Sequence, residues 1–378
     1  MSILTSIGHK AISIIKNIGI LITLIIGILL VITAYCGYVD PEKSAKFAII
    51  GMVFPVMLAL NVVAILVWII VRRWLVALLP IAFMAVCYSA VITFSPINIS
   101  FSNETPTDSS FTLLTYNVKN FDDLNNHKGD NRTLRYILDK NADFVVLQEG
   151  SAKIKMDKLD IIQSLMPELK NKYPYRETRM RDIVILSKHP FTLDNEKILS
   201  NYHLHATSYK VNIKGNTLYI IGVHLESIRL TDNDKALYRE ITDITKSSDN
   251  LNEQKVENVK STLLSKLSTA FKRRAVQARD LRQYIDSIGE NVILCGDFND
   301  TPSSFAYNTI MGDDMNDAYR ECALGPTITF HQNRFYFRID HILYKGNFEA
   351  TSIERGNIKS SDHYPLYATF RWKSATQK

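Results

Sequence analysis

The 378-residue chain has four cysteines, Cys36, Cys87, Cys295 and Cys322. No spacing among them suits zinc or a redox pair, and no disulfide framework is implied. The sequence also contains neither GxGxxG nor GxxxxGK[ST], so readings as a nucleotide-cofactor or P-loop protein have no support. A strong charge of one sign is missing from the polar part. The first 104 residues hold six Lys/Arg and three Asp/Glu of the chain's 44 and 38, which leaves 38 basic and 35 acidic residues beyond them. That near-balance excludes a polybasic nucleic-acid domain and argues against tight duplex binding. Nor is there a clear run of aromatics on which bases would stack.

Long apolar runs are abundant, and they are confined to the first hundred residues. Residues 18–36, 47–71 and 74–94 are each long enough to cross a bilayer. A single run would suit a signal peptide, but three do not. Lys10 and Lys16 precede the first run and Arg72–Arg73 link the second to the third, which places the N-terminus and the Arg pair in the cytoplasm. Three spans then carry everything after Phe94 to the extracytoplasmic side of a plasma or inner membrane. The expected organisation is a membrane domain over residues 1–104, including a polar linker, and a second domain over residues 105–378.

That second domain is rich in short apolar segments that read as strands. They include Phe111–Tyr116, Asp143–Gln148, Asp182–Ser187, Thr217–Val223, Val292–Cys295, Thr327–Phe330, Phe337–Leu343 and Leu366–Phe370. Arg132–Asp139 fits a helix with Leu134, Ile137 and Leu138 on one side. Val256, Val259, Leu263, Leu267 and Phe271 mark an amphipathic helix, continued by Ala275–Ile285. The intervening Lys272–Arg273–Arg274 suits phosphate or lipid headgroups, or simply a solvated helix face. His203 and His205 stand at a spacing that suits a metal, but polar positions on an edge strand are the simpler reading.

Polar residues recur where these strands end. Asp297 and Asn299, following Leu294–Cys295–Gly296, stand at i and i+2 and so point to one side of an extended chain. An ordinary strand followed by a polar turn would look similar. Asn117, Glu149, His224, Asp340, Asp362 and His363 repeat the pattern over some 250 residues. Together they suggest metal-assisted hydrolysis of phosphate esters. The carboxylates are hard oxygen ligands suited to Mg²⁺ or Mn²⁺. A histidine beside an acid becomes an oriented base, and amides with a further histidine can donate to phosphoryl oxygens. Cys295 reads as sheet core.

In order along the chain, TYNVKNF (Thr115–Phe121), DFVVLQE (Asp143–Glu149), DIVILSKHP (Asp182–Pro190), VHLES (Val223–Ser227), GDFND (Gly296–Asp300), RIDHIL (Arg338–Leu343) and SDHYPL (Ser361–Leu366) resemble the motifs of the endonuclease/exonuclease/phosphatase superfamily, the fold of pancreatic-type deoxyribonuclease. Each is weak alone; the ordered set, spanning Phe111 to Trp372, is specific. The resemblance implies an α/β four-layer sandwich, two packed mixed β-sheets flanked by helices, here preceded by three transmembrane helices. It implies Glu149 as principal magnesium ligand, with Asn117 as the phosphate- or metal-site amide and Asp362 assisting. His224 would bind or protonate a phosphoryl oxygen. Asp297 and Asn299 would position water and phosphate, and His363, oriented by Asp340, would be the base. Whether His363 or Asp297 takes the proton stays open.

Two departures stand out. Asp182 occupies a place where family members often carry glycine; it can approach the site, pair with a histidine or face solvent. The stretch 228–274 is longer than the usual link and is expected to form a helical lid or platform over the cleft. The function implied is a divalent-metal-dependent hydrolase of phosphoric esters, a phosphodiesterase or nuclease-like enzyme. The alternatives are a sphingomyelinase-like phosphodiesterase or phosphatase acting on lipid headgroups, and a non-catalytic, membrane-anchored domain that binds a phosphorylated ligand. The expected partners are the lipid bilayer and a phosphodiester or phosphomonoester in nucleic acid or lipid.

Overall fold

A computed structural model describes residues 3–99, 109–121, 131–150, 167–177, 182–194, 205–229, 231, 234, 253–289, 291–332 and 335–373. The N-terminal part is helical: α1 (Ile3–Tyr35), α2 (Pro41–Gly51), α3 (Phe54–Ile70), α4 (Trp74–Val86) and α5 (Tyr88–Phe94). Two segments, Ser13–Tyr38 and Pro41–Ile70, are long and apolar enough to cross a membrane. The third expected span is α4 plus α5, bent by 80° at Cys87, and makes a third crossing only if the bent pair counts as one. These helices mark a membrane-associated protein. Their apolar side chains, such as Ile22, Val63 and Leu78, are exposed, as suits a lipid-facing surface.

Among the described residues, the remainder is built on two six-stranded mixed sheets. One runs β11 (Phe348–Arg355), β12 (Leu366–Trp372), β1 (Ser110–Asn117), β2 (Phe144–Gln148), β4 (Val184–Ser187), β3 (Tyr175–Glu177). The other runs β5 (Phe191–Leu193), β6 (His205–Ile213), β7 (Asn216–His224), β8 (Val292–Asp297), β10 (Asp340–Lys345), β9 (Asn316–Asp317). β1 and β2 pair in parallel, as do β7 and β8; the other pairings are antiparallel. His203 lies outside the described residues. Thr327–Phe330, expected as a strand, makes only isolated bridges from Phe330 to Phe337 and His363. Its Thr329 hydroxyl instead accepts the backbone N–H groups of Ile339 and Asp340.

Strand alternation sorts the side chains into three cores. Phe111, Leu113, Phe144, Val146, Ile220, Ile293, Cys295 and Ile342 fill the space between the sheets. Their neighbours Leu114, Tyr116, Val145 and Leu147 point outward onto α6 (Arg132–Lys140), which offers Leu134, Ile137 and Leu138. On the opposite side Ile221, Val223, Val292 and Leu294 meet Ala278, Leu281 and Ile285 of α7 (Glu253–Ser287) and Ile310 of α8 (Phe305–Met311). The result is helix, sheet, sheet, helix: the four-layer sandwich. Gly222 sits at a close approach between the sheets; a Cβ there would fall 2.7 Å from both Ile183 and Val146.

The two parts of the chain are in direct contact. Arg279 of α7 pairs with Asp40 at 3.1 Å and with Glu42 at the start of α2. Asn308 of α8 reaches the Gly37 carbonyl, 3.4 Å away. The buried Arg338 guanidinium donates to Asp317 at 2.9 Å and to the Thr93 carbonyl at 2.7 Å. At the other end of the helices, Lys16 and Arg73 line one groove.

Candidate active site

The parity that builds the inner core also builds the site. Asn117 continues the inward set Phe111, Leu113; Asp297 continues Ile293, Cys295; His224 continues Leu218, Ile220; Asp340 precedes Ile342, Tyr344. In register, Asp340 stands opposite Asp297, and His224 beside it. The four side chains therefore emerge at one end of the sandwich, between the sheets, where open strand ends leave room.

Asp297 lies at the centre. It is buried, and burial pushes its pKa up, against the opposing charge of His363. Its Oδ2 accepts from Asn117 Nδ2 at 3.1 Å and lies 3.5 Å from His363 Nε2 and 3.7 Å from His224 Nε2. Its Oδ1 accepts the Asn299 N–H at 2.7 Å, closing a tight turn in which Asn299 has a left-handed backbone, φ 51°. Gly296 just before it has φ 139°, and a Cβ there would fall 2.1 Å from the Val223 carbonyl oxygen. Glycine is thus required for Asp297 to enter the gap.

His363 Nδ1 bonds Asp340 Oδ2 at 2.8 Å, and the ring packs edge-on against Phe330. Burial alone would lower its pKa, but the charges of Asp340 and Asp297 push it up to about 10. Asp340, His363 and Asp297 bring their ligand atoms within 4.8 Å of one another, a buried cluster that can coordinate a divalent cation.

Glu149 stands just past β2 with φ 56°, a costly conformation for a side chain of its size. Its Oε1 accepts from Asn117 Nδ2 at 3.2 Å and lies 3.9 Å from His224 Nε2. Asn117 Oδ1 is engaged by the Lys119 N–H at 3.1 Å, so the amide nitrogen faces both acids. Asn299 turns its own amide nitrogen to the Leu225 carbonyl at 3.0 Å. Asp362 sits at the rim in a 2.8 Å pair with Lys119. All eight expected residues thus lie in or beside one cleft.

Asp182 adopts one of its three expected alternatives: it bonds His224 Nδ1 directly. Burial alone would lower the His224 pKa; the Asp182 bond and the charges of Asp297, Asp182 and Glu149 raise it to about 9. Of the basic cluster, Arg274 is buried, donating to Asp300 at 3.1 Å and to the Glu226 carbonyl at 2.9 Å. It is a structural brace rather than an anion-binding face. Arg273 pairs with Glu226 at 2.7 Å. Lys119 had no role in the sequence reading. Its only sequence signal is a cation two positions after Asn117, and its pairing with Asp362 depends on a loop 243 residues further on.

A model for the endonuclease/exonuclease/phosphatase family matches residues 114–363. The chain belongs to that family. It is accordingly a metal-dependent hydrolase of phosphoric esters, with the buried Asp–Asp–His cluster as a candidate metal centre. A separate model, for a domain of unknown function, matches residues 14–94. No curated protein matches the chain. Solved structures similar to it include an endonuclease/exonuclease/phosphatase from Bacteroides vulgatus, at 19% identity and TM-score 0.44, covering 70% of this chain and 99% of that one. Another is D. rerio TDP2 complexed with a single-strand DNA product, at 17% identity and TM-score 0.43, covering 70% and 99%. The human Nocturnin catalytic domain with bound sulfate is similar at 16% identity and TM-score 0.44, covering 72% and 100%.

Proposed function

We propose that the chain hydrolyses a phosphodiester with Mg²⁺ held at Glu149 and Asn117, assisted by Asp362, and with His363 as the base that activates water. Mn²⁺ would suit the same oxygen-rich set. The observation that carries this reading is the Asp340–His363–Asp297 line. Asp340 accepts a hydrogen bond from Nδ1–H at 2.8 Å, which turns Nε2 toward Asp297 and the cleft. An imidazole so held can receive a proton from water in line with phosphorus. Asp297 and Asn299 position that water and the phosphate. His224, kept cationic by Asp182, donates to a phosphoryl oxygen as charge builds there.

The acids around His363 hold it protonated while their charge is uncompensated. It can act as a base only where that charge is neutralised, as a cation held at Glu149 would do. A bound divalent cation supplies positive charge against the phosphoryl oxygens. Asn117 must rotate its amide to offer oxygen, giving up the bond from the Lys119 N–H.

The test is a pair of variants of the full chain, assayed on bis-p-nitrophenyl phosphate across a Mg²⁺ titration. His363→Ala should lower kcat by about 10²-fold or more with the Mg²⁺ midpoint unmoved. Glu149→Ala should raise that midpoint by roughly tenfold or more. A His363→Ala variant of unchanged activity would sink the mechanism. One that instead loses Mg²⁺ affinity would move the metal to the Asp297–Asp340–His363 cluster.

The membrane helices support a topology with Lys16, Arg72 and Arg73 in the cytoplasm and the catalytic domain outside. Lys16 and Arg73 meet at one end of the helices, while Gly37, Asp40 and Thr93, which touch the catalytic domain, cluster apart from them.

A further inference from the structure

The cleft over Asp297 and His363 encloses about 350 Å³, enough for a headgroup-sized ligand. Beyond the catalytic side chains it is lined by Leu263, Leu267, Phe271, Phe335, Phe337 and Met52. Leu263, Leu267 and Phe271 stand four residues apart and so share one face of α7. Phe335 and Phe337 come from the loop that leads to Asp340. Met52 belongs to the membrane part, in the short break between α2 and α3 within the apolar segment Pro41–Ile70. Leu263, Phe335, Phe337 and Met52 are each only partly buried and present apolar surface to the cleft, while Leu267 and Phe271 in the same wall are buried.

A nucleic acid would be expected to meet cations along its backbone. Among the described residues, those at the cleft are engaged: Arg274 with Asp300, Arg229 and Arg273 with Glu226, Lys119 with Asp362. A small hydrophilic phosphate would gain nothing from an apolar wall.

We infer that the substrate is a phospholipid of the bilayer, its phosphodiester placed at His363 and an acyl chain laid along Leu263, Leu267 and Phe271 toward Met52. The inference rests on the phosphoesterase reading and adds the substrate class. The apolar segment Pro41–Ile70 also supplies Met52 to the cleft wall, which sets the cleft against the membrane part. In the reaction, the water oxygen bonds to phosphorus and one ester P–O bond breaks. The departing oxygen takes a proton and leaves as an alcohol, and the phosphoryl half keeps the water's oxygen.

The full-length protein, reconstituted with Mg²⁺ into vesicles of phosphatidylethanolamine, phosphatidylglycerol and sphingomyelin, tests this. Lipid turnover is compared with that of the dihexanoyl analogues, a DNA oligonucleotide and bis-p-nitrophenyl phosphate. At least one long-chain lipid should exceed its short-chain analogue by about tenfold or more in kcat/KM. Leu263→Ser and Phe335→Ser should each lower the ratio of lipid to bis-p-nitrophenyl phosphate turnover by about tenfold. Equal rates on long and short chains, a preference for DNA, or an unmoved ratio in both variants would overturn the lipid assignment alone. Failure to cleave any of the four would overturn the phosphoesterase reading with it.

Discussion

His224 and His363 are two imidazoles set in one cluster of acids. Each has an aspartate on Nδ1 and Asp297 near Nε2. His363 receives its aspartate from the facing strand β10, as the family motifs imply. His224 receives Asp182 from the other sheet, at a position where glycine is common in the resemblance. Asp182 therefore adds negative charge beside His224, which with Asp297 and Glu149 raises its pKa to about 9. Asp182→Asn removes that charge, leaving burial to lower the His224 pKa against Asp297 and Glu149. In the metal-free protein an imidazole ¹⁵N titration should find it down from about 9 by roughly one unit or more. The stability consequence has a definite sign. With the folded pKa raised above the unfolded value, the contribution is present below about pH 6.5 and is lost as pH rises through about 9. The variant should lose that part of the pH dependence, and an unmoved His224 titration would remove Asp182 from the account.

Elements set how closely the two sheets approach, and so whether Asn117 and Glu149 of one can meet Asp297 of the other. Gly222 in β7 is one close point, facing Ile183 and Val146. An alanine there must push a central pair of strands apart or force those side chains off their rotamers. Gly222→Ala should cost about 1–3 kcal/mol in denaturant unfolding and lower turnover at saturating Mg²⁺, because the Asn117–Asp297 contact of 3.1 Å spans the same gap. Wild-type stability in the variant would show that the sheets accommodate the methyl without moving. Among the helices, α7 runs unbroken from Glu253 to Ser287. The end of the long 228–274 stretch is continuous with the helix that covers β7 and β8. Its Leu263, Leu267 and Phe271 line the cleft. Residues 235–252 lie outside the described part.

At the scale of the molecule, the membrane helices and the sandwich are joined by polar contacts made well away from the Lys16–Arg73 end. Arg338 is the deepest of these: it is buried, pairs with Asp317 at 2.9 Å and donates to the Thr93 carbonyl near the end of α5. It lies two residues before Asp340, so the strand that orients His363 is fixed at its start to the membrane part. If Lys16, Arg72 and Arg73 face the cytoplasm, a periplasm-dependent phosphatase reporter fused to the C-terminus should be active and a cytoplasm-dependent fluorescent reporter dark. The reverse pattern would turn the protein over and restore intracellular substrates.

Much of this was legible in the residues themselves. Alternating apolar segments named the strands, and long uncharged runs named the membrane helices, because burial in sheet core or lipid demands those patterns locally. Asn117, Glu149, His224, Asp297, Asn299, Asp340, Asp362 and His363 were visible as polar residues ending apolar strands, and their order matched one family. What the sequence by itself could not decide depends on distances between segments far apart in the chain. Asp182 had three open roles until β4 and β7 were brought together. Arg274 looked like part of a basic surface until Asp300 and the Glu226 carbonyl enclosed it. Lys119 had no role until a loop more than two hundred residues later supplied Asp362. Met52 lay within the expected span 47–71 until α2 was set against α7, which places Met52 beside the cleft. Local pattern fixes which face of an element is apolar. Only packing decides which polar group then meets which charge, since Coulombic and hydrogen-bond energies depend on separations that no stretch of sequence records.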